Sequence, residues 1–173
     1  MSKIRYLVMD VDGTLTDGKI YMGTNGELMK AFDIKDGHGI HDILPTLCIT
    51  PIIITGRSSS IVQNRCKELG VTQLYQGVSD KLGLLKQVLQ EQGSNPSEVA
   101  YVGDDLNDLQ CMLYIKDNGG IIGVPNDAYQ QVKDMASFVA KSSGGNGAVR
   151  EFIEYLITYN EQIGGNGDSL IDK

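Results

Sequence analysis

Asp10 and Asp12, followed by Gly13 and Thr14, stand directly after the apolar run Ile4-Arg5-Tyr6-Leu7-Val8-Met9. At the end of a buried strand, two such carboxylates can converge on one divalent cation, and Gly13 lets the backbone turn sharply between them. Hard oxygen ligands favour Mg²⁺, which keeps several waters and commonly binds substrate phosphate as well. A carboxylate neutralised in this way can attack phosphorus and form an aspartyl-phosphate, which splits one hard hydrolysis into two steps. Its neighbour can protonate the leaving oxygen and then activate water. Asp-Gly is also a common turn pair. Taken alone, the segment reads as well as a solvated turn.

Three further segments carry chemistry. Gly103-Asp104-Asp105-Leu106-Asn107-Asp108 places three acids after the apolar run Val99–Val102, just before a helix that Asn107 or Asp108 begins. Helix capping explains one acid but not all three. If both strands are central, Asp104 or Asp105 reaches the cation held by Asp10. Thr55-Gly56-Arg57 follows Pro51-Ile52-Ile53-Ile54, and a hydroxyl with free N–H groups at a strand end can hold phosphate oxygens. A helix cap by Ser58 or Ser59 is compatible with that role. Lys81 opens a helix after Asp80, where the helix dipole disfavours a cation. A solvated lysine is the default there, but the placement also suits an external anion, whose charge Lys81 would neutralise in a transition state. Arg57 and Arg65 suit a carboxylate, which guanidinium pairs in bidentate fashion. Arg65 reads equally as a helix-surface arginine whose stem covers apolar area. His38 and His41 have no third ligand and read as loop or surface residues.

The elements that must position these groups follow from periodicity. Continuous apolar runs ending in polar or Gly-rich residues predict buried parallel strands at residues 4–9, 51–55, 99–102 and, more weakly, 120–124. Ile61, Val62, Arg65, Cys66 and Leu69 share a helix face that Gly70 caps, and Leu82, Leu85, Val88 and Leu89 form a second stripe. Asn95-Pro96-Ser97-Glu98 has the form of a helix start, and Ala148–Tyr159 is a last helix. The alternation predicts an α/β fold, a doubly wound parallel sheet whose ligand crevice lies beyond the strands' carboxyl ends. One segment breaks the rhythm: Gly23-Thr24-Asn25-Gly26 between two strand-like runs predicts a β-hairpin at about residues 19–32. Residues 1–160 are expected to form one domain, and residues 161–173 a flexible tail.

Bulk composition removes some alternatives. A net charge of -7, 6% aromatic residues and no Trp argue against a nucleic-acid or anionic-membrane surface. No apolar run approaches the ~18–20 residues that span a bilayer. Cys48, Cys66 and Cys111 lack paired spacing, and Cys66 falls on an apolar helix face, as a buried thiol would. A cytoplasmic protein is expected.

In this order the four segments resemble the haloacid dehalogenase (HAD) superfamily of phosphatases, with Asp10-x-Asp12-Gly13-Thr14 as first motif, Thr55 as second, Lys81 as third and Gly103-Asp104-Asp105-x-x-Asp108 as fourth. The resemblance implies a Rossmann-like HAD fold with Asp10 as nucleophile and Asp12 as general acid and base. It implies Mg²⁺ held by Asp10, Asp104 and the Asp12 carbonyl, a phosphoryl group held by Thr55 and Lys81, and support from Asp105 and Asp108. Between Asp12 and Thr55 there is room for the hairpin and a short helix but not for a cap domain. Similar capless members are homotetramers in which a neighbour's hairpin closes the site. Asp17-Gly18-x-Ile20-Tyr21-Met22-Gly23, Lys30-Ala31-Phe32, Lys35-Asp36-Gly37, Arg65-Cys66, Leu74-Tyr75-Gln76-Gly77 and Gly147-Ala148-Val149-Arg150-Glu151 resemble, more narrowly, the 3-deoxy-D-manno-octulosonate (KDO) 8-phosphate phosphatase family. That family makes a lipopolysaccharide precursor. The resemblance implies that Asp33, Ile34, Lys35, Asp36, Gly37, His41, Thr55, Gly56, Arg57, Arg65 and Lys81 meet the sugar-acid phosphate. Residues 144–150 are expected to fold over the substrate.

Three other readings are open. Arg57 favours the eight-carbon acid over nine-carbon KDN 9-phosphate, whose phosphatases look to have Glu after the Thr-Gly. A receiver-type domain also clusters acids around Mg²⁺ but fits the segment order poorly. The intact Asp12 and Lys81 argue against a non-catalytic tetramerisation module.

Overall fold

The computed structural model describes residues 2–165. Its strands are β1 (Tyr6–Met9), β2 (Tyr21–Gly23), β3 (Gly26–Met29), β4 (Thr50–Ile54), β5 (Gln73–Tyr75), β6 (Val99–Val102), β7 (Ile121–Val124) and β8 (Phe138–Val139). Its helices are α1 (Ile34–His38), α2 (Leu44–Thr46), α3 (Ser60–Glu68), α4 (Lys81–Glu91), α5 (Leu109–Asp117), α6 (Gln130–Lys133) and α7 (Ala148–Gly165). A π-helical turn at Gly39–Ile43 joins α1 to α2.

Six strands form one sheet in the order β5-β4-β1-β6-β7-β8, and every pairing in it is parallel. The apolar runs produce this because their alternate side chains serve two separate cores. Leu7, Met9, Ile53 and Val102 point to the side covered by Val62 and Cys66 of α3 and Phe152, Ile153 and Leu156 of α7. Tyr6, Val8, Ile52, Ile54 and Tyr101 point to the other side, covered by Leu85, Val88 and Leu89 of α4 and Cys111, Met112 and Ile115 of α5. Each large apolar side chain buried this way contributes about 1.5–3 kcal/mol before conformational entropy is charged. The doubly wound parallel sheet expected from sequence is the observed one.

Local signals set the element ends. Gly70 takes φ +71°, its N–H donates to Lys67 O at 3.3 Å, and Val71 N–H donates to Cys66 O at 2.9 Å, closing α3 with a Schellman motif. Asn95 and Glu98 form a capping box around a single 3₁₀ turn rather than a longer helix. The hairpin strands are shorter than the flanking runs, and Phe32 returns to pair with Thr16 as an isolated antiparallel bridge. The last helix passes Tyr159 and continues to Gly165, so the first part of the expected tail is helical, and residues 166–173 lie outside the described residues. No helix among the described residues is long and apolar enough to cross a membrane.

Candidate active site

β1 and β6 are neighbours, with Met9 opposite Val102, and the Asp10 N–H donates to Val102 O at 3.0 Å. The loops leaving their carboxyl ends therefore begin side by side, and this register brings Asp10 next to Asp104. Oxygens of Asp10, Asp104 and Asp108 lie within 4.8 Å of one another. The turn after Asp12 requires Gly13, which has φ +92° and whose missing Cβ leaves room for the Asp104 carboxylate. Thr14 Oγ1 donates to Asp104 Oδ1 at 3.1 Å.

Lys81 is buried, at 6% exposure, not solvated. Its Nζ donates to Asp10 Oδ1 and to Asp108 Oδ1, both at 2.8 Å. Asp80 caps α4 in front of it by accepting from Gly83 N–H at 2.8 Å. Tyr101, fully buried on β6, also donates its hydroxyl to Asp108 Oδ1 at 2.7 Å. With both donors on Oδ1, Asp108 Oδ2 is buried with no hydrogen-bond partner. Asp108 consequently caps nothing at the start of α5.

The electrostatics record this crowding. Burial first, then the charge of Asp108, pushes the Asp10 carboxyl up to about 6. Burial first, then Asp10 and Asp108, pushes Asp104 up to about 7. Burial pulls the Lys81 ammonium down, and the charges and hydrogen bonds of Asp10 and Asp108 more than reverse it. Two buried carboxylates and a half-buried third against one ammonium leave excess negative charge, and a buried oxygen of Asp108 has no donor. A hard divalent cation fits that donor set.

Asp12 turns away from the three carboxylates. Its Oδ1 accepts from Lys30 Nζ, and its Oδ2 lies 3.8 Å from Arg57 Nε. Thr55 is buried at the end of β4, beside β1, and its N–H donates to Tyr75 O at 3.0 Å. Gly56 and Lys81 line an open depression of about 300 Å³ together with Val78, Ser79, Leu106 and Asn107. Of the two acids expected to support Lys81, Asp108 does so. Asp105 is exposed and accepts from the Leu106 N–H instead, at 2.7 Å.

The expected sugar-acid residues divide. Arg57 stands by Asp12. Ile34, Gly37, His41 and Arg65 line a separate groove that contains none of Asp10, Asp12, Asp104 and Asp108, and His41 pairs with Asp42 at 2.9 Å. Asp33 caps α1, accepting from the Lys35 and Asp36 N–H groups. Asp36 is buried and accepts from the Gly147 and Arg150 N–H groups at 3.3 and 2.8 Å, at the start of α7. Arg65 pairs with Glu68 at 2.9 Å, lies 5.8 Å from the Phe32 ring centre and leaves its buried Nε without a partner. The expected cover, residues 144–150, packs on the catalytic loop: Gly145 N–H donates to Thr14 O at 3.1 Å, and a Cβ at Gly144 would strike Gly13 O.

Tyr101, Glu27 and Lys30 join the site without having been singled out in the sequence. Tyr101 sits inside an apolar run and reads as core. Lys30 sits on a hairpin and reads as a solubilising surface charge. Only the adjacency of Lys30 to Ala31-Phe32 in a recognisable segment marked its neighbourhood.

No family profile matches the sequence. The 3-deoxy-D-manno-octulosonate 8-phosphate phosphatase KdsC of Escherichia coli K12 is 46% identical over 154 residues, 89% of this chain and 79% of that protein. The Yersinia pestis KdsC is 40% identical over 164 residues, 95% of this chain and 85% of that protein. The crystal structure of the Yersinia pestis phosphatase superposes with a TM-score of 0.84 over 94% of this chain and 85% of that one, at 40% identity. The Moraxella catarrhalis phosphatase, solved with magnesium, phosphate and KDO, superposes with a TM-score of 0.85 over 94% and 91%, at 36% identity.

Proposed function

This chain belongs to the family of 3-deoxy-D-manno-octulosonate 8-phosphate phosphatases in the HAD superfamily, and from that premise we propose that it hydrolyses KDO 8-phosphate to KDO and inorganic phosphate with Mg²⁺. The observation that carries the reading is the convergence of Asp10, Asp104 and Asp108 at the carboxyl ends of β1 and β6, with the Lys81 ammonium held between Asp10 and Asp108.

In the first step a carboxylate oxygen of Asp10 attacks phosphorus. The bond from phosphorus to the sugar's C8 oxygen breaks, and Asp12 gives that oxygen its proton. In the second step Asp12 takes a proton from water, the water oxygen bonds to phosphorus, and the bond to Asp10 breaks, which releases phosphate and restores the carboxylate. Lys81 and Thr55 steady the phosphoryl oxygens throughout. Asp10, Asp104 and the Asp12 carbonyl would hold Mg²⁺, and Asp108 has an oxygen within 4.8 Å of the Asp10 and Asp104 oxygens. When bound, the ion neutralises the carboxylates and the phosphate so that an anion can approach an anion. Arg57 and Gly56 are assigned to the sugar acid at the mouth of the site.

The reading extends to assembly and compartment. The hairpin exposes Ile20, Met22, Leu28 and Met29, which supports a homotetramer in which it packs against a neighbour's site. Cys48, Cys66 and Cys111 are free thiols, as suits the reducing cytoplasm.

The test is phosphate release from KDO 8-phosphate by the purified protein, with Mg²⁺ and after chelation. Release should require the metal and vanish in Asp10→Asn. Undiminished activity in Asp10→Asn sinks the mechanism, and a higher kcat/KM on KDN 9-phosphate would reassign the sugar.

A further inference from the structure

The hairpin inverts the usual distribution of side chains. Met22 and Leu28 are 63% and 67% exposed, while the side chain of Lys30, one residue past β3, is 1% exposed. A buried ammonium is costly unless it is paired, and Lys30 is paired twice. Its Nζ donates to Asp12 Oδ1 and lies 3.0 Å from Glu27 Oε1. Glu27 is fixed in turn, since its Oε2 accepts from Ser59 Oγ and its Oε1 lies 3.9 Å from Arg57 Nη2. Ser59 itself sits at the N-terminus of α3, where it accepts from Val62 N–H. An unbroken chain of contacts thus runs from α3 through Ser59, Glu27 and Lys30 to one oxygen of Asp12.

The other oxygen is left open. Asp12 Oδ2 has no hydrogen bond among the described residues, and Arg57 Nε is 3.8 Å away. An exposed carboxylate rotates between equivalent orientations, whereas one gripped at Oδ1 presents Oδ2 in a single direction.

We propose that Lys30 is the positioning residue of Asp12: held by Glu27, it anchors Oδ1 so that Oδ2 is the oxygen that passes a proton to the leaving group and later takes one from water. The inference rests on the reading of Asp12 as general acid and base. Lys30 is too buried to touch substrate, so its effect belongs in kcat rather than in binding. The hairpin then serves its own chain's chemistry through Glu27 and Lys30, while its Met22 and Leu28 side chains face outward.

The experiment compares wild type, Lys30→Met, Lys30→Arg, Asp12→Asn and the double variant Asp12→Asn/Lys30→Met, with Mg²⁺, on KDO 8-phosphate and on p-nitrophenyl phosphate. Lys30→Met should lower kcat on KDO 8-phosphate about tenfold or more, since general acid–base catalysis has that much to lose. KM should stay within about threefold, and Lys30→Arg should recover part of the loss. In the Asp12→Asn background, Lys30→Met should cost nothing further, because the group it acts through is gone. On p-nitrophenyl phosphate, whose leaving group needs no proton, Lys30→Met should release a rapid burst of p-nitrophenolate followed by slow turnover.

Equal losses in both backgrounds, or a rise in KM alone, would overturn the proposal. If Lys30→Met does not fold, Glu27→Gln loosens the same ammonium and must show the same dependence on Asp12. Should wild type cleave p-nitrophenyl phosphate but not KDO 8-phosphate, the substrate assignment fails, and the cycle on the artificial ester still decides Lys30. Should it cleave neither, both readings fall.

Discussion

A carboxylate hemmed in by other carboxylates holds its proton, and at this site that sets a pH window. Asp10 lies near 6 and Asp104 near 7, both above the ordinary 3.8, because burial and mutual repulsion oppose their charges. Between the ordinary and the raised values the metal-free folded chain binds more protons than the unfolded chain. These two groups therefore lower its stability as pH rises through that window, with the full penalty above about pH 7. A divalent cation competes with those protons and must displace them. The rise in melting temperature on adding Mg²⁺ should be small at about pH 5, grow through about pH 6–7 and level off near pH 8. Thermal unfolding with Mg²⁺ against chelator across pH measures it, and a rise of equal size at all pH values would detach the metal from these acids. The acids themselves are legible in sequence because Asp-x-Asp-Gly-Thr and Gly-Asp-Asp each follow an apolar run. Tyr101 and Lys30 are not legible. One hides in such a run, and the other owes its burial to Asp12, distant in sequence, and to Glu27, which the distant Ser59 holds in place.

Elements depend on capping as much as on their apolar faces, and α7 is the clearest case. Its first N–H groups have no partner within the helix, and the buried Asp36 carboxylate supplies one from across the chain. Burial raises that carboxyl to about 6, with the Arg150 N–H bond pulling the other way. Asp36→Ala should cost about 1–2 kcal/mol, the usual loss of a cap, and lower the melting temperature by about 2–8 °C for a chain of this size. If the variant keeps its melting temperature and raises KM, Asp36 meets substrate instead, as the resemblance implies. The interior strands and the two long helix stripes are readable because burial on both faces imposes continuous apolar runs, and burial on one face imposes a stripe. The edge strands β5 and β8 escape because they are short, only partly buried and drawn into the sheet by β4 and β7. The α1-π-α2 segment escapes because Gly37, Gly39 and Pro45 break its periodicity.

At the scale of the whole molecule the hairpin strands lie outside both cores. A two-stranded ribbon is marginal in water, and this one is tied to the rest of the chain through Glu27, Lys30, Tyr21 and the Thr16–Phe32 bridge. Ile20, Met22, Leu28 and Met29 are exposed to solvent on it, and large apolar side chains gathered on one small element suit an interface. If a second copy covers it, a carboxylate placed there would be buried without a partner on association, at a cost of several kcal/mol. The folded chain itself would be spared, since these side chains pack against none of its core. Met22→Asp and Leu28→Asp should therefore leave the melting transition of each subunit intact, yet convert a tetramer to smaller species in sedimentation equilibrium, with activity falling in proportion to dissociation. Wild type that sediments as a fully active monomer would show that the patch has no partner in its own kind, and the site would then have to close by the chain's own residues alone.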